Sequence, residues 1–382
     1  MTTALINGVI FTGEHWLTDH AVIIDGKTIH AVCPVSEIPA GIGRTIDLQQ
    51  QRLLPGLIDT QVNGGGGVLF NDAPTVDTLR IMGEAHRRYG TTGFLPTLIS
   101  DDLEVVEKAI AAVDQAIREQ VPGVLGIHLE GPFLNPLRKG IHNAEKFRIL
   151  DDAAARLLTS LSTGKTLITL APELTTPEMI QRLRKAGAIV AGGHSAANYE
   201  ETRRALDAGM NSFTHLYNAM TPLTSREPGM VGAALEDRDS WCGIIVDGYH
   251  AHPAALKVAI AAKNRGKMVL VTDAMPTVGA AEKSFTINGE VIRAENGRCA
   301  SANGTLAGSD LDMLSAVRNT TTLLDIGIGE SVRMASEYPA AMIGLQNNLG
   351  AIKKGYIASM ILVDEKLNLQ CSWINGEEKS YR

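Results

Sequence analysis

Eight short apolar runs, separated by stretches of helical spacing, constrain this chain more than any other feature. They cover residues 53–62, 93–99, 124–129, 167–171, 188–191, 212–216, 242–246 and 268–271. Val, Ile and Leu fill them with little strict alternation, the pattern of parallel strands buried on both faces. Between several of them, as at 102–120 and 198–208, apolar residues recur every three or four positions, which predicts amphipathic helices. An eightfold alternation of strand and helix predicts a closed α/β fold, the (β/α)8 TIM-like barrel, with its chemistry at the C-terminal strand ends. The 382 residues, 45% of them hydrophobic, are enough for one barrel and a smaller attached unit.

The two ends of the chain have a different texture. Residues 4–11, 20–24 and 28–32, and again 358–363 and 370–374, cluster β-formers around turn pairs such as Asn7-Gly8, Asp25-Gly26 and Asn375-Gly376. Exposed strand edges need partners, so these pieces predict one small β-sandwich built from both termini. The expected division is 1–52 and 349–382 for the sandwich and 53–348 for the barrel. A third β-rich patch, 284–292 with Asn288-Gly289 as its turn, predicts a hairpin inserted after the last barrel strand, near the site entrance.

Charge and cysteine usage narrow the partners. A formal net charge of -7 and the lack of any long Lys/Arg run argue against a nucleic-acid or membrane-surface binder. An anionic substrate would need a local basic pocket. Cys33, Cys242, Cys299 and Cys371 lie far apart and form no metal-type pair, so reduced, partly buried thiols are expected. The first residues have neither a basic start nor a long apolar core, and no later stretch is apolar enough to span a bilayer. A soluble cytoplasmic protein is therefore expected.

Gln61, Glu130, His194, His215 and Asp273 each stand at or near the end of an apolar run. Zinc in a hydrolytic site commonly takes three ligands from His and carboxylate side chains, leaving a position for the water it activates. Glu130, His194 and His215 form such a set. Singly, a histidine in an apolar run is more often a hydrogen-bonded core residue; three candidates at strand ends point to a metal. Asp273 ends the eighth run, where a carboxylate can take a proton from attacking water and pass it to a departing amine. Its bland alternative is a cap on the following segment.

These residues sit in an ordered set of motifs: PGLIDTQVNG at 55–64, HLEGPFLNPLRKGIHN at 128–143, LAPE at 170–173, GHS at 193–195, THLYNAM at 214–220, REPGMVG at 226–232, VDGYH at 246–250, VTDAM at 271–275 and LAGS at 306–309. With that set the chain resembles, along nearly its whole length, the N-acetylglucosamine-6-phosphate deacetylases of the amidohydrolase superfamily. The resemblance implies that Glu130, His194 and His215 bind the metal, that Asp273 is general base and acid, and that His142 polarises the acetamide carbonyl. It further implies sugar-phosphate contacts from Asn218, Ala219, Arg226, His250 and the backbone at Leu306, Ala307 and Gly308. Arg226 would reach the phosphate in the neighbouring subunit of a homodimer; on composition alone it reads as a surface salt bridge.

One departure from the wider superfamily bears on metal count. Many relatives carry a His-x-His pair at the end of the first strand, where this chain has Asp59-Thr60-Gln61. Gln61 is a poor zinc ligand and Asn63 no better, so one divalent ion per chain is expected, zinc first and iron(II) as an alternative. Asp59 leaves a weak second site open. His128, on the same strand face as Glu130, is expected to support the ligands together with Gln61. The implied reaction is hydrolysis of N-acetyl-D-glucosamine 6-phosphate to D-glucosamine 6-phosphate and acetate, in amino-sugar catabolism. The same reaction on the galactosamine epimer is one alternative, and a non-catalytic sugar-phosphate-binding barrel is another. Hydrolysis of a cyclic amide or amino-acid derivative fits the phosphate motifs less well.

Overall fold

The computed structural model describes residues 2–381. Eight parallel strands form one sheet: β1 Leu57–Val62, β2 Thr91–Ile99, β3 Gly126–Glu130, β4 Lys165–Leu170, β5 Ile189–Gly192, β6 Ser212–Phe213, β7 Trp241–Ile244 and β8 Met268–Leu270. Each strand pairs with its neighbour in sequence. A bridge between Val62 and Ala274 then joins the end of β1 to the chain beyond β8 and closes the barrel at its C-terminal rim. Helices pack outside, so β1, β2, β3 and β5 are buried along their whole length. That two-sided burial is why the runs lack alternation. The helices expected at 102–120 and 198–208 span Leu103–Arg118 and Tyr199–Asp207. The second begins with a capping box, in which Asn198 and Glu201 satisfy each other's backbone N–H.

The first apolar run, 53–62, is two strands rather than one. Arg52–Pro55 pairs with Met360–Val363 in a terminal sheet, and only Leu57–Val62 belongs to the barrel. Residues 53–55, expected in the barrel, thus lie in the sandwich. The break falls at Gly56, where an added Cβ would sit 2.0 Å from Thr92 Oγ1 and 2.8 Å from its Cβ. Both halves of the run are apolar because each enters a core, and apolar content alone does not mark the passage between two cores. Gly56→Ala is expected to destabilise the protein by about 1–3 kcal/mol through overpacking, read as a lower denaturation midpoint.

The termini do build one layered unit. A six-stranded sheet joins Val9–Phe11, Trp16–Leu17 and Arg52–Pro55 from the first part of the chain to Met360–Val363, Leu369–Ile374 and Glu377–Ser380 from the last, through the pairing of Arg52–Pro55 with Met360–Val363. A four-stranded sheet holds Thr3–Ile6, His20–Asp25, Thr28–Pro34 and Arg44–Asp47. Their shared core includes Leu5, Ile10, Val22, Leu53, Leu362 and Trp373.

The insertion after β8 is larger than the expected hairpin. Four antiparallel strands, Ser284–Ile287, Glu290–Glu295, Arg298–Ala300 and Leu306–Ser309, form its sheet. Its first turn is the Asn288-Gly289 pair, both at positive φ. Asn288 Nδ2 donates to the Ile141 carbonyl at 2.8 Å, which seats the turn beside His142. None of the four cysteines forms a disulfide, and among the described residues no helix is long and apolar enough to cross a membrane.

Candidate active site

A cavity of about 180 Å³ opens at the C-terminal rim of the barrel. Its wall includes Glu130 from the end of β3, His194 beyond β5, His215 beyond β6 and Asp273 beyond β8. His194, His215, Ala219 and Asp273 all take positive φ. For residues with a Cβ such backbone conformations cost on the order of 1–3 kcal/mol each and concentrate at functional sites.

Glu130, His194 and His215 are buried and present ligand atoms within 4.8 Å of one another. Both Nε2 atoms converge on Glu130 Oε1, at 3.1 Å from His194 and 3.0 Å from His215, and lie 3.0 Å from each other. The other ring nitrogen of His194, Nδ1, is 2.8 Å from the Arg138 carbonyl, which can only accept. His194 therefore carries a proton on Nδ1, and its neutral form turns the Nε2 lone pair toward the Glu130 oxygen. Two lone pairs facing each other at that distance call for positive charge between them. Burial alone would raise the Glu130 carboxyl, yet the two imidazoles beside it, His194 and His215, hold it well below the usual carboxylate range. Burial opposes a charge on His215, but Glu130 outweighs it and pushes the imidazole up. Two imidazoles and a carboxylate competing for a shared cation fit a divalent metal of the zinc class.

The first-strand polar residues lie at different depths. Asp59 is fully buried below the cavity and bonded to Thr272 Oγ1 at 2.5 Å and the Gln61 N–H at 3.1 Å; burial pushes its carboxyl up to about 7. The residues that face the carboxylates are Gln61 and Asn63. Gln61 Nε2 lies 3.3 Å from Glu130 Oε2 and 3.2 Å from Asp273 Oδ1, and Asn63 Nδ2 lies 2.6 Å from that same Oδ1. Gln61 thus stands between Glu130 and Asp273, and Asn63 brings a second neutral amide donor to Asp273. Burial raises the Asp273 carboxyl and the charge of Glu130 adds to the effect, which makes Asp273 a stronger base.

His142 is oriented by a residue that the sequence reading did not single out. The Ser100 backbone N–H donates to His142 Nδ1 at 3.3 Å, with Ser100 Oγ at 2.9 Å. Nδ1 is thus an acceptor, and the neutral ring carries its proton on Nε2. Burial pushes this imidazole down to about 3, so it is a neutral hydrogen-bond donor. Ser100 follows the apolar run of β2, and the rule that found the other strand-end residues would have found it too.

His250 and Asn218 line the same cavity, with Ala219, Leu306 and Gly308. Asp247 Oδ2 is 2.6 Å from His250 Nδ1, which makes this carboxylate of the VDGYH motif the group that orients His250. Ala307 faces the other way, into a small apolar cluster with Met275, Ile287 and Ile292, as alternation along Leu306–Ser309 requires. His128 lies deeper, between Thr169 Oγ1 at 2.7 Å and Thr97 Oγ1 at 3.3 Å. Its ring nitrogens bond to these threonines rather than to Glu130, His194 or His215, and burial pushes it down to about 4. Arg226 is exposed, away from the cavity wall, and makes no ion pair among the described residues. The surface salt bridge suggested by composition is not formed.

A model of the amidohydrolase family matches residues 52–379, and the NagA composite domain matches residues 3–53. The chain is 44% identical over 381 residues to the N-acetylgalactosamine-6-phosphate deacetylase of Shewanella sp. (strain ANA-3), covering 94% of this chain and 96% of that protein. It is 40% identical over 383 residues to the N-acetylglucosamine-6-phosphate deacetylase of Haemophilus influenzae, covering 99% of this chain and 100% of that protein. The crystal structure of N-acetylglucosamine-6-phosphate deacetylase from Pasteurella multocida matches with a TM-score of 0.96 at 36% identity over 100% of both chains. With the barrel, the strand-end metal group and these matches in agreement, the chain belongs to the amidohydrolase family and, within it, to the N-acetylglucosamine-6-phosphate deacetylases.

Proposed function

We propose that the chain hydrolyses N-acetyl-D-glucosamine 6-phosphate to D-glucosamine 6-phosphate and acetate, in the cytoplasmic breakdown of amino sugars. The observation that carries this reading is one cavity joining Asp273, His142 and the Glu130–His194–His215 group in a chain matched over 99% of its length by a deacetylase. One divalent ion per chain, zinc in preference to iron(II), would be held by Glu130, His194 and His215 and would supply Lewis-acid polarisation and a more acidic water. The remaining steps belong to the protein's own groups. Asp273 accepts the proton of the attacking water on Oδ2, because Oδ1 already receives the Gln61 and Asn63 amides. As the water oxygen bonds to the acetyl carbon, His142 donates from Nε2 to the carbonyl oxygen, where negative charge develops. The C–N bond then breaks, and Asp273 returns the proton to the departing amine nitrogen. Gln61 and His128 keep the surrounding strands in place.

The sugar phosphate is held at a distance from the reacting carbon, by Asn218, Ala219, His250 and the backbone from Leu306 through Ala307 to Gly308. Arg226, exposed and without an acidic partner, serves the neighbouring active site of a homodimer. Its guanidinium fork suits a phosphate. Arg226→Ala is expected to cost about 1.5–3 kcal/mol in kcat/KM on the phosphorylated sugar and much less on free N-acetylglucosamine. Equal losses on both would remove the phosphate role. Mixed dimers of Arg226→Ala chains with chains lacking Asp273 should regain activity, since one of their two sites is whole.

The galactosamine epimer is the second reading, favoured by the 44% identity to the Shewanella enzyme. Acetate release from the two 6-phosphates, compared as kcat/KM, decides between them, and no release from either overturns the deacetylase reading in favour of a binding barrel.

A further inference from the structure

We infer that Glu173 is a positioning residue for His194: its carboxylate locks the loops after β3, β4 and β5 together and thereby sets both the backbone and the tautomer of that histidine. This inference rests on the proposed role of His194 as a ligand. LAPE, the motif that ends in Glu173, is otherwise without a task in the site.

Glu173 follows β4 and directs its two oxygens at neighbouring loops. Oε1 accepts the Asn135 Nδ2–H at 3.0 Å and the Ala196 backbone N–H at 2.6 Å, while Oε2 accepts the Ser195 hydroxyl at 2.6 Å. The last two donors directly follow His194, whose own φ is 48°. A left-handed conformation at a residue with a Cβ persists only where its surroundings over-determine it. Glu173 supplies that constraint from the C-terminal side.

Asn135 supplies it from the other side. Its backbone N–H donates to the His194 carbonyl at 2.9 Å, and its own carbonyl accepts the Arg138 N–H at 2.9 Å. Its side-chain oxygen takes the Leu137 N–H at 2.9 Å. That turn presents the Arg138 carbonyl to His194 Nδ1, the contact that keeps the proton on Nδ1 and leaves Nε2 free toward the metal group. Through Ser195, Ala196 and Asn135, Glu173 therefore governs the direction and the protonation site of His194 without touching it. Indirect partners of this kind typically change metal affinity by about 10–100-fold.

The test is the free zinc concentration at half-saturation, measured on the full chain by competition with a chromophoric chelator, together with melting of the metal-free protein. Glu173→Ala is expected to raise that concentration about 10–100-fold, and Ser195→Ala and Asn135→Ala to raise it less, each severing one arm. The metal-free melting temperature should stay near that of the parent while the increase on adding zinc shrinks. A purely structural role predicts the reverse, a lower metal-free melting temperature with unchanged zinc affinity, and that result overturns the inference. Should Glu173→Ala fail to fold, parental zinc affinity in both Ser195→Ala and Asn135→Ala overturns it equally. His194→Ala separates the two levels: parental zinc affinity in that variant removes the ligand assignment itself, whereas weak binding there beside unchanged binding in Glu173→Ala removes only the role of Glu173.

Discussion

Asp273→Asn is expected to keep the protein's metal and lose about 10²–10⁴-fold in turnover, the usual contribution of a general acid–base group. Asparagine keeps the shape but cannot take a proton from water. The hydrogen bonds at Oδ1 explain why the substitution should be tolerated structurally: Gln61 and Asn63 are amides, and a rotated side-chain amide at position 273 can present its oxygen to them. Metal analysis and acetate release on the same preparation check the prediction. Near-parental turnover would remove Asp273 from proton transfer, and loss of metal would move it into the ligand set.

Removing the metal should have the second large effect. Dialysis against a chelator is expected to abolish acetate release, and one equivalent of divalent ion per chain should restore it, with zinc the preferred ion. The single-ion expectation has a geometric basis, since the Gln61 amide nitrogen lies within 3.4 Å of both Glu130 oxygens and 3.2 Å from Asp273. The amides of Gln61 and Asn63 already satisfy the carboxylates that a second cation would bridge. A titration that needs two equivalents per chain for full activity would overturn this. His215→Ala should lower metal content and activity together, in contrast to Asp273→Asn.

Strand geometry explains why Asp59, which leaves a weak second site open in the sequence, does not face the cavity carboxylates. Asp59 and Gln61 share a face, but successive residues on that face sit at different depths in the barrel. Asp59 lies one layer below the rim and spends its oxygens on Thr272 and the Gln61 N–H. Asn63, one step above Gln61, reaches Asp273 instead. His128 and Glu130 repeat the pattern on β3: one is bonded to buried threonines, the other belongs to the metal group. Depth along the barrel axis is set by the register between neighbouring strands, a property of the pairing rather than of any one segment.

Sequence by itself determined the alternation of strand and helix, the union of the two termini and the placing of Glu130, His194 and His215 at strand ends, where they could hold a metal ion. Each follows from short-range pattern: apolar runs that must be buried on both faces, β-forming ends whose edges need partners, and polar residues placed where a strand meets the rim. Tertiary structure alone decided that residues 53–62 serve two cores, that Ser100 and Asp247 orient His142 and His250, that Ala307 turns away from the cavity, and that Glu173 grips the loop behind His194. Those facts depend on contacts between segments distant along the chain. A hydrogen bond requires two groups within about 3 Å, and that proximity exists only once the barrel has closed.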